Sequence, residues 1–129
     1  MVDAGVLYSA ADTNDPDHKA AAETLQGWDG ELVSSAFTVA EADHLVLTRL
    51  GLAAELSFID SLASSFLVPT LDPQGLRDAR GLCARYREQQ LGLADASIVV
   101  LAARFSTSHL ATFDERHFRS VRPLDNDDG

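Results

Sequence analysis

The chain has one cysteine, one methionine, one tryptophan and a single lysine, Lys19, among its 129 residues. A lone Cys83 excludes an internal disulfide, and no cysteine–histidine cluster offers zinc its usual ligand set. Beside Leu82 in a helical pattern, Cys83 reads as a buried apolar filler. No apolar run reaches the roughly 20 residues that span a bilayer. The N-terminus lacks both the basic stretch and the long apolar core of a signal peptide. The expected setting is therefore soluble and cytoplasmic, with no membrane contact. Positive charge is also scarce: 10 Lys and Arg oppose 20 Asp and Glu, for a net charge of −10. That excludes a broad basic face for gripping nucleic acid. It does not exclude a nucleic-acid enzyme, because carboxylates that face divalent ions are cancelled locally.

What is present is a core-forming chain of one-domain length, with 46% hydrophobic residues. Short extended runs alternate with helical ones. Val2-Asp3 ends a very short first strand, and a helical segment follows over Gly5–Ala11. Asp15 as cap and Pro16 at the first helical position predict a helix to about Gln26. Glu31–Ser34 predicts a second strand. Ser34 or Ser35 then caps a helix over Phe37–Leu50, stopped by Gly51. Another helix is predicted over Ala53–Ser64, with Leu56, Ile59 and Leu62 inward, before a third strand at Phe66–Pro69. Asp72-Pro73 opens a helix to about Gln89 with Leu76, Ala79, Cys83 and Tyr86 inward. A helix beginning near Gly92 follows, with Ile98, Leu101, Ala102 and Phe105 at helical spacing. A fourth strand at His109–Thr112, a turn at Arg116–Phe118 and an edge strand at Val121–Leu124 complete a domain over residues 1–124. Residues 125–129 form an acidic tail. Strands separated by helices imply an α/β fold with a mostly parallel sheet, whose ligands gather beyond the carboxyl ends of the strands.

Four acids fall where that rule directs attention. Asp3 ends the first strand and Asp114 lies just past the fourth. Glu41 sits two turns into a helix, after a charge-poor stretch. Asp95 sits in the first turn of an apolar helix. Singly, each has an ordinary explanation: Asp95 complements the helix dipole, Glu41 faces solvent and Asp114 belongs to a turn. Together they form a pattern those explanations do not predict, since acids inside apolar runs are costly unless paired or bound to a cation. Clustered carboxylates stay ionised together only beside a cation. Oxygen-only ligands favour a hard ion such as Mg²⁺ or Mn²⁺, which does hydrolytic phosphoryl chemistry without a nucleophilic side chain.

The order and spacing of Asp3, then Val39-Ala40-Glu41, then Leu91-Gly92-Leu93-Ala94-Asp95-Ala96, then Thr112-Phe113-Asp114 resembles the PIN-domain nucleases. Within them it is similar to the VapC toxins of VapBC toxin–antitoxin modules, over Met1 to about Leu124. The resemblance implies a PIN-like three-layer α/β/α fold and a Mg²⁺-dependent endoribonuclease with Asp3, Glu41, Asp95 and Asp114 as its acidic, metal-holding quartet. It further implies a cognate VapB-type antitoxin, a homodimer, and a structured RNA substrate such as tRNA or rRNA. One position departs from the pattern. Where the family usually carries Ser or Thr after the first Asp, this chain has Ala4, so a hydroxyl that could orient Asp3 is absent there.

Secondary candidates surround the quartet. The Thr112 hydroxyl can face the same rim, and Arg116, with Arg119 and Arg122, is the nearest candidate for phosphate contact. Asp43, His44 and the arginines at 77, 80, 85 and 87 read as solvated helix faces. His117 reads as a helix-end residue, and Trp28 as packing near a turn. Apolar positions along the Ala53–Ser64 helix are candidates for a two-fold interface. Two other functions compete. A catalytically silent PIN-like binding module is kept in view by Ala4. A phospho-receiver domain is disfavoured, since Val68-Pro69-Thr70 offers no acid at the third strand's end and the chain has no late lysine.

Overall fold

The computed structural model describes residues 1–105 and 110–112. Along them run α1 (Ala4–Ala11), α2 (His18–Gln26), β1 (Leu32–Val33), α3 (Ala36–Leu50), α4 (Leu52–Ser65), β2 (Phe66–Leu67), α5 (Pro73–Arg85) and α6 (Leu93–Arg104). A 3-10 turn, Arg87–Gln89, joins the last two helices. β1 and β2 pair in parallel, Leu32 opposite Phe66 and Val33 opposite Leu67. Val2 makes a parallel bridge to Ala111, and its N–H donates to the Val33 carbonyl at 2.9 Å. Ala111, Val2, β1 and β2 thus lie side by side in one layer.

Successive residues of an extended segment point to opposite faces, and the first two residues show it. Val2 belongs to a cluster with Val6, Leu7, Val46, Phe58 and Leu62. Met1 packs on a second cluster of Leu71, Ala79, Leu82, Leu91, Val100 and Leu101. Helices α1, α3 and α4 supply the first cluster, and α5 and α6 the second. Among the described residues this is the expected layered α/β arrangement, with shorter strands than expected. The extended runs are short because capping residues end them early. Asp3 caps α1 through a bond from the Val6 N–H, and Ser35 caps α3 through a bond from the Thr38 N–H.

Several local expectations hold. Gly51, at φ +93°, ends α3, a backbone region open to glycine. Asp72 and Pro73 open α5, with the Asp72 carboxylate accepting from Gly75 N–H at 2.7 Å. Asp72 also accepts from Arg104 at 3.0 Å, tying the start of α5 to the end of α6.

Others need correction. Asp15 is not a helix cap. Its carboxylate accepts from the Asp17 N–H at 3.0 Å, a local turn that competes with capping, and α2 starts later, behind Asp17. In α4 the buried pair is Phe58 and Leu62, while Leu56 and Ile59 are exposed; the helix carries two apolar stripes, and the core takes the other one. Leu76 is exposed and Leu82, rather than Cys83, is buried on α5. Cys83 is only half-buried. That helix stops at Arg85, short of Gln89. Phe105 lies past the end of α6 and is exposed. The third strand ends at Leu67, and the fourth is represented by the single bridge at Ala111. The turn at Arg116–Phe118, the strand at Val121–Leu124 and the tail lie outside the described residues.

The two stripes of α4 separate in a stability measurement. Leu62 is 7% exposed and Leu56 is 54% exposed. By urea unfolding, Leu62→Ala is expected to cost about 3 kcal/mol, and Leu56→Ala less than about 0.5 kcal/mol.

Candidate active site

Asp3 stands where the first extended residues turn into α1, and it is 7% exposed. Its backbone N–H donates to the Ala111 carbonyl at 3.1 Å. Its Oδ1 accepts from the Val6 N–H at 3.1 Å, and its Oδ2 accepts from the Thr112 hydroxyl. Thr112 follows the bridge residue Ala111 directly, which is what delivers its side chain to this carboxylate. Ala4, the first residue of α1, is buried in the apolar cluster. The hydroxyl missing from that position is met at Asp3 by the one from Thr112.

Glu41 lies in the second turn of α3, on its exposed side. Asp95 lies in the first turn of α6 and is half-buried. The two helices pack against each other. Burial pushes the Glu41 carboxyl above its ordinary value, and the negative charges of Asp95 and then Asp3 push it further. Three acids from three separate stretches are therefore within electrostatic reach. Among the described residues, no three acid, histidine or cysteine side chains are drawn close enough to hold a metal ion together. Asp114 and Arg116, with His117, Arg119 and Arg122, lie outside the described residues. An all-oxygen, mutually repelling donor set suits a hard divalent cation.

The nucleophilic side chains nearby are otherwise engaged. Burial, then the charge of Asp95, raises the pKa of the Cys83 thiol, so it is held in the neutral form. Ser34, Ser35, Thr38 and Ser97 are all at most 1% exposed and are hydrogen-bonded. Ser97 escapes a sequence reading; its one signal is a hydroxyl inside a buried apolar run, which must find a partner. Of the surface candidates, His44 is exposed. Arg77 bonds Gln74 at 3.3 Å and Arg85 lies 5.3 Å over the Tyr86 ring. Trp28 donates to the Glu31 carbonyl at 3.3 Å, as packing at a turn. Asp43 is not a plain surface residue: it is half-buried, its Oδ1 is enclosed, and hydrogen bonding with Asp43 is the main cause of a raised Glu55 carboxyl.

Residues 1–123 match the family model of the PIN domain. The chain belongs to the PIN-domain family. It is of the VapC type: it is 36% identical over 125 residues to Ribonuclease VapC26 of Mycobacterium tuberculosis, covering 96% of this chain and 93% of that protein. The crystal structure of M. tuberculosis VapC20, a sarcin-ricin loop cleaving toxin, superposes with a TM-score of 0.84 over 92% of each chain at 16% identity. That likeness supports the PIN fold over 92% of this chain.

The crowding at Glu41 has a measurable consequence. Its folded pKa lies above the unfolded one, so the folded state binds more protons and stability falls as pH rises through the window between them. Glu41→Gln is expected to raise the thermal midpoint of the metal-free protein at pH 7. That advantage should shrink as pH drops to the ordinary carboxylate range, as followed by circular dichroism.

Proposed function

We propose that this PIN domain is a divalent-metal-dependent endoribonuclease and the toxin of a type II toxin–antitoxin pair. The observation that carries the reading is the placement of Glu41 on α3 and Asp95 on α6, two helices that pack against each other, in a chain similar to a ribonuclease over almost all of its length. Asp3, Glu41, Asp95 and Asp114 would hold the ion, Mg²⁺ or Mn²⁺. The chemistry such an ion supplies is activation of water and neutralisation of charge on the phosphodiester. The protein's part is to hold the carboxylates on rigid elements. Asp3 is clamped by the Val6 N–H and Thr112, and Asp95 is carried by a helix whose Ala96–Leu101 segment is buried throughout.

The substrate class is RNA, with tRNA or rRNA as the structured candidates, and Arg116 is a candidate phosphate contact. A VapB-type antitoxin is the partner, and the cytoplasm is the setting. Among the described residues, no helix is long and apolar enough to cross a membrane. A homodimer is supported by α4, where Leu52, Leu56 and Ile59 form an exposed apolar line at helical spacing.

Purified protein is expected to cleave structured RNA with Mg²⁺ or Mn²⁺, to stop in chelator, and to fall to background as Asp95→Asn. Cleavage that persists in chelator would overturn the metal reading. A folded protein with no divalent-ion affinity would make it the silent binding module. Sedimentation at micromolar concentration is expected to give a dimer, and Leu56→Asp a monomer.

A further inference from the structure

Three buried hydroxyls and the half-buried Ala94 carbonyl form a ring of contacts between α3 and α6, with three protons shared among its four links. The Ser35 Oγ accepts from the Thr38 N–H at 3.0 Å and donates to the Thr38 Oγ1 at 2.8 Å. It lies 2.6 Å from the Ser97 Oγ. The Ser97 Oγ donates to the Ala94 carbonyl at 2.5 Å, and the Thr38 hydroxyl reaches the same carbonyl at 3.4 Å. Ser35 and Ser97 have no exposed surface, and Thr38 is 1% exposed. Burying hydroxyls costs free energy that apolar side chains of the same size would avoid. What the ring adds over apolar packing is direction, because each bond constrains an angle as well as a distance.

The ring sits where direction matters to the acids. Ala94 immediately precedes Asp95, and Ser97 is two residues beyond it. The α6 cap, Gly92, makes no side-chain cap bond of its own, so these contacts help define the start of that helix. Ser35 is the cap of α3. Glu41 lies six residues further on, about 9 Å along the axis, so a small tilt at the ring moves its carboxylate appreciably. The neighbouring Ser34 hydroxyl donates to the Val2 carbonyl at 2.7 Å, one residue before Asp3. The Ser34-Ser35 pair therefore touches the backbone that leads to Asp3 and the joint that relates Glu41 to Asp95.

We propose that Ser35, Thr38 and Ser97 are positioning residues that set the separation and angle of the Glu41 and Asp95 carboxylates for a shared divalent ion, an inference that rests on the metal-dependent reading above. Supporting partners of this kind govern metal affinity without touching the metal.

The test is Mn²⁺ affinity, read from the spectroscopic signal of free Mn²⁺, alongside urea unfolding. Ser97→Ala and the near-isosteric Thr38→Val are expected to weaken Mn²⁺ binding about tenfold, and Thr38→Ser, which keeps the hydroxyl, to retain it. Leu62→Ala, a destabilising change in the α4 side of the core, is expected to leave Mn²⁺ affinity unchanged. If Ser97→Ala does not fold, the Thr38 pair carries the comparison. Ring variants that bind Mn²⁺ as the natural chain does would overturn the inference, as would an equal loss in Leu62→Ala. If the natural chain binds no Mn²⁺, the metal-dependent reading itself fails, and the inference with it.

Discussion

Repulsion among carboxylates is the interaction that links three separate elements of this fold. Glu41 responds to both Asp95 and Asp3. Asp3 is held by a backbone N–H and by a hydroxyl from the far end of the chain. Glu41 rides on a helix whose first turn is capped by Ser35. Asp95 rides on a helix with six consecutive residues enclosed, from Ala96 to Leu101. Like charges carried on separate rigid elements are a physical reason to look for function there.

Much of this was legible in the chain, and the reasons are local. Asp72-Pro73, Ser35 and Gly51 act within a few residues of themselves, so helix boundaries there follow from capping and backbone preference. The acids at 3, 41 and 95 were visible because each interrupts or adjoins an apolar run. Legibility failed where two local solutions compete. Asp15 satisfies the Asp17 N–H rather than a helix end. Helix α4 offers a Leu52–Leu56–Ile59 line and a Phe58–Leu62 line, and periodicity alone cannot say which one meets α1 and α3. The strands were overestimated because regular pairing ends at Leu67, although the Pro69 carbonyl still accepts from the Ala36 N–H at 2.8 Å. The hydroxyl ring was invisible for a different reason: Ser35 and Ser97 are 62 residues apart, and no spacing rule connects them.

The substitution at Ala4 bears on how Asp3 works. A hydroxyl after Asp3 would sit at the first position of α1, where Ala4 is now packed into the apolar cluster. Asp3 divides its two oxygens: one closes the first turn of α1 and the other takes the Thr112 hydroxyl. The carboxylate is thus structural and chemical at once. Its orientation depends on Ala111 staying bridged to Val2, because that pairing brings Thr112 within reach. A change that loosened the bridge would release the second oxygen of Asp3 while leaving its helix cap intact. Asparagine at this position would still cap the helix but would lose the negative charge, whereas alanine would lose both. Comparing those two replacements separates the helix-starting role of Asp3 from its electrostatic one, a separation unavailable at Glu41 or Asp95, where no capping bond is involved.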